Sequence, residues 1–173
     1  MAGAVWARCV RLVNGILAVY PAMVATGRGH IVNMASLAGL GPVGLLTAYA
    51  TAKHAIVGLS TSLAAEAAAK GVAVTVVCPA AVDTGLLDRR GSADMVTSGM
   101  DVRRYLTDIL GPPYPPDRLA DDVVRAIARQ TAVLVRPGKA RAAWVASRVS
   151  PAASRWLATR AVAKERQKAL PSR

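Results

Sequence analysis

The chain has 173 residues, 53% hydrophobic and 18% charged, which excludes a disordered chain and leaves enough apolar side chains for a real core. Two cysteines, Cys9 and Cys78, are too few for a disulfide scaffold or a cysteine-based zinc site, so a reducing, cytoplasmic location is the expectation. The net charge of +12 is uneven: Arg136–Arg173 holds ten Lys and Arg against Glu165 alone, +9 of the total, whereas residues 1–135 hold 12 basic and 9 acidic groups.

No apolar run is expected to reach the ~18–20 residues that span a bilayer, and Met1–Trp6 shows no secretory pattern. Val10–Ala25 has apolar residues at helical spacing and predicts a helix, with a kink or break at Pro21. Thr26–Gly29 reads as a turn and His30–Met34 as a short buried strand. Ala35–Gly44 is a glycine-rich loop. Thr47–Lys70 predicts a long alanine-rich helix with Gly71 at its C-cap. Val72–Cys78 is a second strand, closed by Pro79. Ala80–Pro116 is loop-like, with one short helix at Val102–Leu110. Asp117–Gln130 predicts a helix after Pro115 and Pro116, and Ala132–Val135 a third strand. From Arg136 onward the chain reads as helical, interrupted near Pro151. Helices alternating with continuous apolar strands predict an α/β fold with a parallel sheet covered on both faces.

The tail at 136–173 has two readings. Trp144 and Trp156 among arginines would suit a peripheral anionic membrane surface. Alternatively, a solvated helix packs its Trp and Val face on the domain. Nothing in the pattern favours nucleic acid.

Tyr49 and Lys53 stand at i and i+4 near the start of the long helix, which puts both on one face. A phenol titrates near ~10, and a neighbouring ammonium makes it a usable acid or base by favouring the phenolate. Ser36, 13 residues before Tyr49, ends the first strand on the side where open α/β sheets place their sites. His30 and His54 lack partners at metal-ligand spacing, and no metal is expected. Cys78 reads as a buried small apolar residue.

Taken together, Gly27–Thr84 resembles the short-chain dehydrogenase/reductase family. The resemblance rests on the strand ending in serine, the YxxxK motif Tyr49-Ala-Thr-Ala-Lys53, and Pro79 followed by Val82-Asp83-Thr84. It implies a Rossmann-like, doubly wound parallel sheet, here its C-terminal half. It also implies hydride transfer between NAD or NADP and a small apolar carbonyl or alcohol substrate. By the same resemblance Tyr49 is the general acid/base, Lys53 assists it and binds the nicotinamide ribose, and Ser36 orients the substrate oxygen. Pro79, Val82 and Thr84 would line the nicotinamide pocket. Ala80 replaces the usual glycine. The family's active-site asparagine has one candidate, Asn14, which at 22 residues before Ser36 lies closer than the family pattern. Residues 80–116 correspond to the substrate lid, where Leu86, Leu87, Met95, Met100, Tyr105 and Ile109 mix with Arg89, Arg90, Arg103 and Arg104. That mixture suggests an apolar substrate with an anionic group. The family's habit of pairing helices between subunits makes a homodimer an expectation, and the small-residue run Ala64–Ala69 would suit it.

Gly39-Leu40-Gly41-Pro42-Val43-Gly44 matches G-x-G-x-x-G, but Pro42 has no N–H for a phosphate and no acidic residue ends a following strand. The family's own T-G-x-x-x-G-x-G motif matches nowhere. The resemblance therefore implies on the order of 100 further residues before Ser36 in a complete fold of this type. Weak binding of NAD(P) is expected, with an inactive remnant or interaction module as the alternative. The expected organisation is a truncated domain over 1–135 and a basic helical extension over 136–173.

Overall fold

The computed structural model describes residues 2–88 and 100–169, so Arg89, Arg90 and Met95 lie outside the described residues. The elements are α1 (Ala2–Thr26), β1 (Gly29–Met34), α2 (Thr47–Ala68), β2 (Val72–Pro79), α3 (Val102–Leu110), α4 (Pro116–Ala128), β3 (Val133–Arg136), α5 (Gly138–Val149) and α6 (Pro151–Ala169). The three strands form one parallel sheet in the order β1-β2-β3. An α/β fold built on a parallel sheet is what the alternating pattern predicts, and its Rossmann-like form is what the family resemblance implies.

Valine-rich β2 is central and buried on both faces. One face carries Val72 and Val74 with Ile31, packed by Ile16, Tyr20 and Met23 of α1 and Leu63 of α2. Val76, Cys78 and Val135 continue it beneath Ile56, Leu12 and Trp144. On the other face Val77 and Leu134 meet Leu119 and Ala126 of α4. The sheet is not covered on both faces throughout, as the strand pattern suggested. At β1 the alternation is one-sided: Ile31 and Asn33 are buried, while Val32 and Met34 are exposed.

Two expectations concern helix α1. It runs through Pro21 without a break. The carbonyl that loses its amide partner belongs to Leu17, four residues earlier, on the exposed side of the helix where water can bond it. Second, Cys9–Thr26 averages a hydropathy of 1.5 over 18 residues and is long and apolar enough to cross a membrane. A window average absorbs Arg11 and Asn14, which break any uninterrupted apolar run. Here the helix lies on β1 and α2 and contributes to the core.

Gly71 follows α2 at φ +72°, and a Cβ there would lie 2.1 Å from the Gly27 carbonyl oxygen. Gly71→Ala is expected to cost at least about 2 kcal/mol, from left-handed strain and the displaced carbonyl. Gly58→Ala, in open space within α2, is expected to stabilise by about 0.5–1 kcal/mol. Urea melts of the two variants check the contrast.

Candidate active site

The C-terminal ends of β1 and β2 open into a cavity of about 730 Å³. Ser36, Tyr49, Lys53, Pro79, Val82 and Thr84 all line it. Ser36 leaves β1 in extended conformation and starts a short 3₁₀ turn, Leu37–Gly39, accepting a hydrogen bond from the Ala38 N–H at 3.2 Å. Its hydroxyl donates to the Pro79 carbonyl at 3.5 Å, the outer limit of a hydrogen bond. That bond is weak enough to be exchanged for a ligand oxygen.

Tyr49 and Lys53 lie one turn apart on α2, with the Lys53 Nζ 5.6 Å from the centre of the Tyr49 ring. Lys53 Nζ also donates to the Met34 carbonyl at 3.0 Å. The last residue of β1 thus holds the ammonium beside the phenol, a contact no sequence motif signals. Beneath, Asn33 Nδ2 donates to Ser60 Oγ at 2.9 Å, and Ser60 donates to the Ile56 carbonyl, tying β1 to α2. Asn14 is not brought to this place. It is exposed on α1 and does not line the cavity.

The loop after β2 is fixed from outside. Tyr114 accepts from the Asp83 N–H and donates its own N–H to Ala81, at 2.9 and 2.7 Å. Arg103 of α3 bonds both Asp83 and Asp88. These pairs tie the segment after β2 to α3. Asp122 supports the arrangement from α4. It is buried, accepts from Tyr114 Oη at 2.9 Å, and pairs with Arg125 and Arg136 at 2.9 Å each.

Cys78, fully buried next to Pro79, has its thiol pushed up to about 11, chiefly by burial, and so stays protonated. His30 Nε2 bonds Thr75 Oγ1 at 2.8 Å, and burial lowers its pKa. Its proton is accounted for within the sheet. Among the described residues no cluster of His, Cys, Asp or Glu could hold a metal ion.

Two glycines of the glycine-rich loop pack against protein, and Gly41 between them faces open space. A Cβ at Gly39 would strike the Lys53 carbonyl at 2.5 Å, and one at Gly44 would strike Val162 Cγ2 at 2.1 Å. Tyr105 of α3 donates to the Gly44 carbonyl at 3.1 Å. The basic tail divides between the two readings drawn from its sequence. Trp144 packs on the core, but Val145, Val149, Trp156 and Leu157 are exposed, and Arg160 lies 4.6 Å over the Trp156 ring.

The family model for short chain dehydrogenases matches residues 9–94. A probable oxidoreductase, EphD, of Mycobacterium tuberculosis is 36% identical over 149 residues, covering 83% of this chain and 25% of that protein. A short-chain dehydrogenase from Sphingobium yanoikuyae, solved in complex with NADPH, is 29% identical with a TM-score of 0.60, covering 78% of this chain and 48% of its own. A short-chain dehydrogenase/reductase from Burkholderia phymatum, solved with NAD, is 26% identical with a TM-score of 0.64, covering 77% and 52%. The chain thus spans a quarter of the mycobacterial protein and about half of the two solved structures. Sequence match and fold agree, and the chain belongs to the short-chain dehydrogenase/reductase family.

Proposed function

We propose that the cavity at the ends of β1 and β2 is the substrate side of a nicotinamide-dependent oxidoreductase site, interconverting an apolar ketone and its secondary alcohol. The observation that carries this is the convergence of Ser36, Tyr49 and Lys53 on one cavity wall, with the Lys53 ammonium 5.6 Å from the Tyr49 ring.

In this reading Tyr49 gives its proton to the carbonyl oxygen during reduction and takes it back during alcohol oxidation. Ser36 turns its loosely bonded hydroxyl from Pro79 to the same oxygen and fixes its direction. Lys53, anchored on the Met34 carbonyl, favours the phenolate that remains when the proton leaves. Asn14 has no part in this scheme.

A bound NADH or NADPH would supply the hydride. The residues present fit the nicotinamide end: Pro79, Val82 and Thr84 would flank the ring, and Lys53 would reach the ribose. They do not fit the adenosine end. In the glycine-rich loop of residues 39–44, Gly39 lies against the Lys53 carbonyl and Gly44 against Val162, and Pro42 has no N–H to offer a phosphate. We therefore expect weak dinucleotide binding and assay at millimolar cofactor. Loss of dihydronicotinamide absorbance on adding 2-decanone supports the function; no turnover with either NADH or NADPH counts against it.

A homodimer belongs to the same proposal. Leu17 and Val19 are exposed on α1, a helix type that pairs subunits in this family, and a second copy would cover them.

A further inference from the structure

The basic tail contributes directly to the cavity. Trp144 and Ser147 of α5, and Ser154, Leu157, Ala158 and Ala161 of α6, form a continuous part of its wall. The tail is also tied to the lid. Arg104 of α3 pairs with the buried Glu165 of α6 at 2.5 Å, and Lys168 pairs with Asp108 of α3. Val162 sits against Gly44 while Tyr105 bonds the same glycine. Lid helix, glycine-rich loop and α6 therefore meet at one edge of the cavity.

Two features define what this wall accepts. Its α6 side chains are small at Ser154, Ala158 and Ala161, so space is left where larger residues would fill it. Among the described residues, Lys53 is the one charged side chain lining the cavity. Of the arginines that suggested an anionic substrate group, the two within the described residues are engaged elsewhere: Arg103 with Asp83 and Asp88, Arg104 with Glu165. Lys53 is committed to the reacting end in the function proposed above, leaving no cation among the described lining residues for the far end of a ligand.

We propose that α5 and α6 are the specificity wall of this enzyme, and that their small residues seat the long uncharged hydrocarbon arm of a ketone or secondary alcohol. The inference rests on the cavity being the substrate site. It concerns which substrates enter, not the proton and hydride steps. The positive charge of the tail then lies on the outer surface of a substrate-binding element.

Calorimetric titration of the full chain with 2-hexanone and 2-decanone, without cofactor, tests it. Each added methylene that reaches the wall tightens binding by about fourfold. Ala158→Phe and Ser154→Phe are expected to remove at least about tenfold of that gain while leaving 2-hexanone within about threefold. Ala163→Phe, on the exposed side of α6, carries a similar helix cost and is expected to keep the gain. A second readout does not depend on these variants. In a Trp6→Phe, Trp156→Phe background, Trp144 emission is expected to shift on adding 2-decanone. Equal affinity for the two ketones, an undiminished gain in both α6 variants, or unchanged Trp144 emission would each overturn the proposal. Ketone turnover with no chain-length gain would overturn the wall alone. A chain-length gain without turnover would count against the catalytic reading alone.

Discussion

Tyr49→Phe is expected to lower ketone reduction by about 10²–10⁴-fold, with affinity for 2-decanone within about threefold of the parent chain. The phenyl ring keeps the shape of the side chain and its packing beside Lys53, so what is lost is the proton. Steady-state rates at millimolar cofactor, paired with ketone titrations, separate the two effects. A drop in affinity with an unchanged rate would mean that Tyr49 only shapes the cavity. Lys53→Met sharpens the distinction. It removes the ammonium that lies 5.6 Å from the ring, so the phenolate is less favoured and the rise of alcohol oxidation with pH moves to higher pH. A lysine that served packing alone would leave that profile in place.

The second large effect concerns Asp122. Asp122→Ala is expected to cost about 2–3 kcal/mol, because one buried carboxylate accepts from Tyr114, Arg125 and Arg136 and so joins α4 to β3 and to the segment bracing Val82. The loss also has a pH signature. Burial pushes this carboxyl up, but the hydrogen bonds from Arg125, Arg136 and Tyr114 outweigh it, and the pKa lies below the usual carboxylate value. The unfolded chain, with an ordinary value near ~3.9, therefore takes up the proton first as pH falls. The contribution is complete at neutral pH and lost as pH drops below ~3.9 through the folded value. Urea melts at neutral and acidic pH are expected to show the variant's deficit shrinking on acidification. A deficit independent of pH would assign the cost to packing.

Local patterns in the chain carried the strands and the Tyr-bearing helix well. The β-branched runs at residues 30–34 and 72–78 and the Ala-rich stretch from Thr47 have strong local preferences, and α3 falls on its expected span. What stayed hidden depends on contacts between distant residues. Lys53 reaches Met34, Arg103 reaches Asp83, and Glu165 reaches Arg104 across 61 positions. No spacing rule links such pairs. The wall formed by Ala158 and Ala161 was illegible for another reason: alanine in a helix reads as helix propensity, and its role here is the volume it leaves unfilled. The helix continues through Pro21 because a proline's cost in a helix falls where solvent can satisfy the freed carbonyl.

Isotopic labelling tests hydride transfer at this cavity. The chain is incubated with 2-decanone and millimolar NADH or NADPH carrying deuterium at C4 of the nicotinamide, and the alcohol is analysed by mass spectrometry. The expected product is 2-decanol labelled at the carbinol carbon, in the parent chain and not in Tyr49→Phe. Absence of labelled alcohol with both cofactors, or equal labelling in Tyr49→Phe, would contradict it.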